Sequence, residues 1–267
     1  GQLVHKQYAH GVREAIYYQK RTDNRWNIKD FVNWITSDDP STRSSRGAGE
    51  YKQDFYYYPT NKLRIPVNKE NVLKSGIVKP EDADKIVDYI DITLPGAIDK
   101  ARIVMLDILA NNDWKRPIYF TGGSMDSAEY LWMKDYLQLD GLVYKLVPIK
   151  TPIDKNNPYD MGRIDSELMY NIVKRWTWGN MGKEGIYLDP ETRKNSIIFR
   201  GNLARLTEQL IAEGKTAKAS EIIDIAMKNM PIDAYGYYFT LDPFIQGSYK
   251  VGKKEQARTI ALQVIKK

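Results

Sequence analysis

Cysteine is absent from the 267 residues, and histidine occurs only at His5 and His10. The first absence excludes disulfides, thiolate metal sites and cysteine nucleophiles. The second leaves too few imidazoles for a histidine-built metal centre. With no G-x-S-x-G elbow either, a Ser-His-Asp triad is excluded. No stretch approaches the roughly 18 consecutive apolar residues of a membrane span. Neither a Walker loop nor a dinucleotide-binding glycine fingerprint occurs. The segment after Gly1 lacks the basic-then-apolar layout of a secretory signal, so the chain is expected to be a piece of a longer protein.

What is present describes an ordinary globular protein: 42% apolar and 28% charged residues, at a length that suits two modest domains. The net charge is +6, and from Thr192 to Lys267 thirteen Lys and Arg stand against seven Asp and Glu, so the tail carries the whole excess. Those cations recur at helical surface spacing without interleaved aromatics, which reads as a solvated face, and no nucleic-acid partner is expected. Nineteen tyrosines, including Tyr56-Tyr57-Tyr58, suffice for an aromatic contact surface without locating it.

Up to Tyr187 short helices mix with short strands. Asn27 is placed to cap a helix whose Ile28, Phe31, Val32 and Ile35 fall on one stripe. The polar run "SDDPSTRSSRGAG", Ser37 to Gly49, reads as a flexible loop. "KLRIPVN" reads as an edge strand because Pro66 cannot donate to a central ladder. Asn68 caps a short helix ended by Gly76. "PEDADKIVDYI" reads as a helix with Ala83, Ile86, Val87 and Ile90 on one face.

The stretch "ANNDWKRPIYF" follows a helix built on Ile103, Val104, Leu106, Ile108 and Leu109. Asn111-Asn112 suit its left-handed end, and Pro117 opens a short buried strand, Ile118 to Phe120. "GLVYKLVPI" gives another strand, with Tyr119 and Tyr144 on neighbouring strands. Leu168, Met169, Ile172, Val173 and Trp176 mark a further amphipathic helix, and the glycine-rich "TWGNMGKEGIYLDP" marks a domain boundary.

Beyond Pro190, Leu203, Leu206, Leu210, Gly214, Ala219, Ile223, Ala226 and Pro231 occupy the spacing of a tetratricopeptide-type helix pair. Leu241, Phe244, Tyr249, Gly252 and Ala257 repeat it. The expected architecture is therefore an α/β or α+β domain over 1–187 and an all-α tetratricopeptide-like repeat region over 188–267.

Candidate chemistry is sparse. Trp114, Arg116 and Tyr119 can line a sugar- or peptide-binding surface, because aromatic faces stack on sugar C–H groups and Arg forks onto anions. The alternative is that Trp114 covers the helix end and Arg116 pairs with an acid. Gly122 and Gly123, in "TGGS", can cradle a phosphate, or simply turn the chain. Asp38-Asp39 and the Asp82/Asp84/Asp88 group read as capping or solvated acids. No catalytic residue, metal ligand or cofactor is assigned.

Several blocks, among them "ITSDDPSTR", "LRIPVNKENVLKSGIVKPEDADKIVDYI", "MLDILANNDWKRPIYF", "LDGLVYKLVPIKTP" and "KRWTWGNMGKEGIYLD", carry a resemblance that spans nearly the whole chain. They look like the C-terminal soluble region of a family of large multi-pass membrane proteins common in Bacteroidetes. The membrane half of that family resembles protein O-mannosyltransferases and other lipid-phospho-sugar-dependent glycosyltransferases of the GT-C class. The resemblance implies that the catalytic carboxylate and the polyprenyl-sugar site lie in the membrane half, outside this chain. It further implies a non-catalytic module on the periplasmic side of the cytoplasmic membrane. The expected partners are the membrane-embedded half of the same polypeptide and an acceptor protein or peptide. A free-standing repeat scaffold and a soluble enzyme handling sugar or phosphate at Gly122-Gly123 are the alternatives.

Overall fold

The computed structural model describes residues 15–47, 49, 52–121, 129–153 and 161–266. His5, His10, Gly122 and Gly123 lie outside the described residues. The chain forms two compact units. The first takes in the described residues up to Tyr119, Glu129–Leu137 and Leu146–Pro152; the second takes in Phe120 and Thr121, Gln138–Lys145, Ile153 and the described residues from Met161 onward.

The first unit carries two small sheets. β1 (Ala15–Tyr18), β3 (Arg43–Arg46), β4 (Gln53–Tyr58) and β7 (Ala97–Asp99) form one in the order β3-β4-β1-β7. β2 (Trp26–Asn27), β5 (Lys62–Pro66) and β6 (Tyr89–Thr93) form the other in the order β2-β5-β6. Helix α1 (Ile28–Thr36) starts where the Asn27 side chain accepts from the Lys29 N–H, and it buries Ile28, Phe31 and Ile35. Helix α2 (Lys69–Lys74) is capped by the Asn68 side chain, which accepts from the Asn71 N–H, and Gly76 follows it at a φ of 68°. Helix α3 (Lys100–Asn112) completes the unit, whose core includes Ile16, Phe31, Tyr58, Leu63, Ile90 and Leu106.

Four expectations are corrected here. The run Ser37 to Gly49 is not all loop: Asp39 caps a single turn of 3-10 helix by accepting from the Ser41 N–H, and β3 then pairs with β4. β5 is the central strand of its sheet; β2 is only two residues long and pairs at Leu63 and Arg64, so it ends before Pro66 needs a donor. The acidic segment forms a 3-10 helix over Pro80–Lys85 and then strand β6, with Ile86 and Ile90 buried all the same. An i, i+3, i+4, i+7 pattern interrupted after six residues fits a short helix followed by an alternating strand equally well. Finally, β8 (Tyr119–Thr121) is not buried, since Tyr119 and Thr121 are exposed. β8, β9 (Leu137–Asp140) and β10 (Val143–Leu146) form a sheet in the order β8-β10-β9, so the strands of Tyr119 and Tyr144 are neighbours as expected.

The second unit is mainly helical. Helix α4 (Ser166–Lys174) buries Met169 and Val173 against the core that α5 (Pro190–Ala212) and α6 (Thr216–Asn229) build from Leu203, Leu206, Leu210, Ile223 and Ala226. After the single-turn α7 (Ile232–Tyr235), α8 (Asp242–Lys250) and α9 (Lys254–Ile265) form a second helix pair. Gly214 and Gly252 turn the two pairs at φ values of 74° and 84°, a region that side-chain-bearing residues rarely enter. Trp176, Trp178 and Phe199 meet ring to ring at 5.4–5.8 Å, and a Cβ on Gly182 would collide with the Lys228 carbonyl. The glycine-rich junction is thus a close-packed seam. One tail cation departs from the solvated reading: Arg200 is fully buried, donating to the Gly236 carbonyl at 2.6 Å and the Met230 carbonyl at 2.9 Å. Burial lowers its pKa to about 10.

A network of charges joins α4 to the α5–α6 turn. Partial burial pushes the Glu213 carboxyl up, but hydrogen bonds from Lys215, Ser166 and Gln209 outweigh it and bring its pKa down to about 2. Lys215 Nζ lies 2.6 Å from Glu213 and 2.8 Å from Glu167. A carboxylate whose folded pKa is depressed contributes stability above its unfolded pKa and loses it as pH falls through the folded value. The second unit should therefore weaken between about pH 4.5 and about pH 2, by on the order of 1–2 kcal/mol from this group after solvent screening. Urea unfolding followed by helical ellipticity across that range, with Glu213→Gln as comparison, checks this. A variant that loses stability with acid as steeply as the parent would refute it.

Candidate functional site

The block "ANNDWKRPIYF" resolves into a packing device. The left-handed positions that end α3 are Asp113 and Trp114, at φ values of 46° and 59°, whereas Asn111 and Asn112 remain helical. Asn111 instead donates to the Asp107 carbonyl and carboxylate, and Asn112 to the Arg116 carbonyl at 2.7 Å. Asp113 accepts from Asn71 at its backbone carbonyl (2.8 Å) and at its carboxylate (2.9 Å), tying the end of α3 to the start of α2. Trp114 is only 6% exposed, and its indole N–H donates to the Pro66 carbonyl at 2.8 Å. It borders a small cavity together with Ile65, Leu109, Ile118 and Leu146.

Trp114 therefore offers no stacking face to a ligand. Arg116 is exposed and makes no ion pair among the described residues, and Tyr119 is about half exposed. Of the five candidate positions, the structure places Arg116 and Tyr119 on the surface, Trp114 inside, and Gly122 and Gly123 outside the described residues. The paired carboxylates serve the fold. Asp39 caps, and the Ser41 backbone N–H holds its carboxyl below the usual range; Asp82, itself buried, pairs with Lys85 at 2.6 Å.

A different surface gathers aromatic rings. In β4 the side chains of Phe55 and Tyr57 share one face, because strand side chains alternate. Register carries this face to both neighbours: Ser44 lies opposite Phe55 on β3, and Tyr17 opposite Tyr57 on β1. The reverse face belongs to the core, with Ile16, Tyr58 and Ile98 fully buried. Burial pushes the Tyr58 phenol far above its ordinary value, and its hydroxyl donates to the Pro95 carbonyl.

Tyr17, Tyr18, Gln19, Ser44, Phe55, Tyr56 and Tyr57 line a cleft of about 430 Å³, and strand alternation directs the Tyr17, Ser44, Phe55 and Tyr57 side chains to its face. Gly96 completes the wall, and a Cβ built on it meets no atom within 4 Å. The rings are held from behind. Trp34 meets Tyr57 edge to face at 5.7 Å and donates its indole N–H to the Tyr57 carbonyl at 2.9 Å. The Arg21 and Arg43 guanidinium groups lie over Tyr57 and Tyr56 at 5.7 and 5.1 Å, and Tyr18 stacks on Tyr58 at 5.6 Å.

Among the described residues no carboxylate, imidazole or amine lines this cleft. Among the described residues there is also no cluster of His, Asp or Glu arranged to hold a metal ion. Sequence reasoning noted the tyrosine run but missed Tyr17, Tyr18, Gln19, Ser44 and Gly96. The available signal was the pair of aromatic strands "AIYY" and "DFYYY", whose alternation would place rings on one face once their pairing was known.

Among comparisons with known proteins, a family model described as TMEM260-associated domain 2 matches residues 1–168. No curated protein and no solved structure matches the chain.

Proposed function

Because the chain belongs to the TMEM260-associated domain 2 family, we propose that it is the non-catalytic, extracytoplasmic module of a membrane-embedded glycosyltransferase that uses a lipid-phospho-sugar donor. The family match carries this reading: the domain is associated with TMEM260, a glycosyltransferase-like membrane protein. In this reading the donor site and catalytic carboxylate belong to the membrane-embedded half of the same polypeptide. The module stands on the periplasmic side and holds the acceptor protein or peptide. Two features support a binding role. The cleft is lined by rings and neutral polar groups. The second unit carries two helix pairs; read as tetratricopeptide-like repeats, whose surfaces take extended peptides, they would offer a second binding surface. Among the described residues no helix is long and apolar enough to cross a membrane, so anchoring falls to other segments in this reading.

The test is an immunoblot of native membrane and soluble fractions with an antibody against this chain. The expected band is tens of kilodaltons larger than 30.9 kDa, stays with the membrane, and is degraded by protease added to spheroplasts. A soluble band near 30.9 kDa would overturn the reading in favour of a free-standing scaffold.

A further inference from the structure

We propose that the aromatic cleft of the first unit is a carbohydrate site that takes an uncharged pyranose ring. Two properties of the cleft select this ligand class. The first is the combination of ring faces with hydrogen-bonding groups that have no partner of their own. The Tyr17 hydroxyl, the Ser44 hydroxyl and the Gln19 amide nitrogen make no hydrogen bond among the described residues, and all three residues line the cleft. A pyranose matches both halves of this surface: its C–H face lies against an aromatic ring, while its rim of hydroxyls donates and accepts. An aliphatic or aromatic ligand would leave those polar groups desolvated and unmatched, at a cost to affinity.

The second property is charge. Among the described residues no ionised side chain lines the cleft. The nearest guanidinium groups already have partners: Arg43 pairs with Asp38 at 3.4 Å, and Arg21 donates to the side-chain oxygen of Gln19, itself a cleft residue, at 3.2 Å. A phosphorylated or carboxylated sugar would find no dedicated counter-charge there, so the neutral ring is favoured.

Space and rigidity agree. The volume of about 430 Å³ lies at the small end of the range for ligand sites, on the scale of one or two sugar rings. The Trp34 and Arg21 contacts fix the Tyr57 ring before any ligand arrives, which lowers the entropic cost of binding. Open space over Gly96 lets a ring approach the backbone closely. The assignment stands on this cleft alone and is independent of where the protein resides.

The test is a titration of the isotope-labelled chain with methyl pyranosides of the manno, gluco and galacto series, read by amide and tyrosine-ring chemical shifts. Saturable shifts confined to Tyr17, Tyr18, Gln19, Ser44, Tyr57 and Gly96 are expected, with a dissociation constant in the range of about 0.1–10 mM. Tyr17→Ala and Gly96→Leu should each weaken binding by about tenfold or more. Tyr17 is largely exposed, and the Gly96 substituent enters open space, so both variants should keep the parent's spectrum outside the cleft. Absence of saturable shifts with all three sugars would overturn the assignment. So would saturation that both variants leave unchanged, or saturation by a proline-rich peptide where the sugars fail.

Discussion

Trp114→Ala is expected to destabilise the first unit by about 3–5 kcal/mol, the range for truncating a large buried aromatic. The ring is almost wholly buried, and Trp114 borders a small cavity together with Ile65 on β5, Leu109 on α3, Ile118 and Leu146. Two further effects act on this residue. Its backbone sits at a φ of 59°, which costs a bulky residue on the order of 1–2 kcal/mol and persists only because the side chain is anchored. Its indole N–H satisfies the Pro66 carbonyl at 2.8 Å, so loss of the ring also loses that acceptor's partner. Trp114→Phe, which keeps much of the ring volume but not the N–H, should lose less than Trp114→Ala, its own loss including about 1–2 kcal/mol for the stranded carbonyl. Urea unfolding of the three proteins measures the series. A Trp114→Ala protein as stable as the parent, with altered ligand binding instead, would return this residue to the binding-surface reading.

The second large effect lies in the second unit. Asp140 and Lys145 form an ion pair at 3.2 Å in which both side chains are almost completely buried, and Gln138, also buried, donates to Asp140 at 2.8 Å. Replacing one partner leaves the other ionised without a counter-charge in a dry site, and such deletions cost about 3–5 kcal/mol. Asp140→Leu and Lys145→Met should therefore each destabilise by that order. The double replacement removes both desolvated charges and should recover most of the loss, because a buried pair is often no better than apolar groups of similar volume. Denaturant unfolding of the four proteins in a double-mutant cycle gives the coupling energy. A double variant as unstable as the sum of the single ones would mean that the pair is not coupled.

Neither effect was visible in the bare sequence, for different reasons. In "LQLD" the alternation of apolar and polar residues reads as a strand with one wet face, yet all four residues of β9 are buried. Burial on both faces depends on what packs above and below, and a period of two does not carry that information. For Trp114 the local grammar reads as the end of a helix, but the left-handed residues, Asp113 and Trp114, lie two positions beyond the asparagines expected to hold that conformation. What moved them is tertiary: Asn71 captures Asp113 and Pro66 captures Trp114, at sequence separations of 42 and 48. The same limit explains the acidic segment, where a few apolar positions fit a helix until β5 offers β6 a partner along its length.

The sequence by itself determined the local signals: the Asn27 and Asn68 caps, the stripe of α1, the glycine turns of the two C-terminal helix pairs, and the absence of cysteine chemistry. These depend on neighbours within about one helical turn, where propensity and capping act directly. The tertiary structure alone decided which aromatic rings share a face. Tyr56, Tyr57 and Tyr58 are consecutive and chemically identical, yet Tyr58 is buried while Tyr57 joins Tyr17 in the cleft. Their separation follows from the pairing of β1 with β3's partner strand, 40 residues away in sequence by the register Tyr17↔Tyr57. Strand alternation sets two faces, but only long-range pairing and the packing of a core against one of them determine which face is left to meet a ligand.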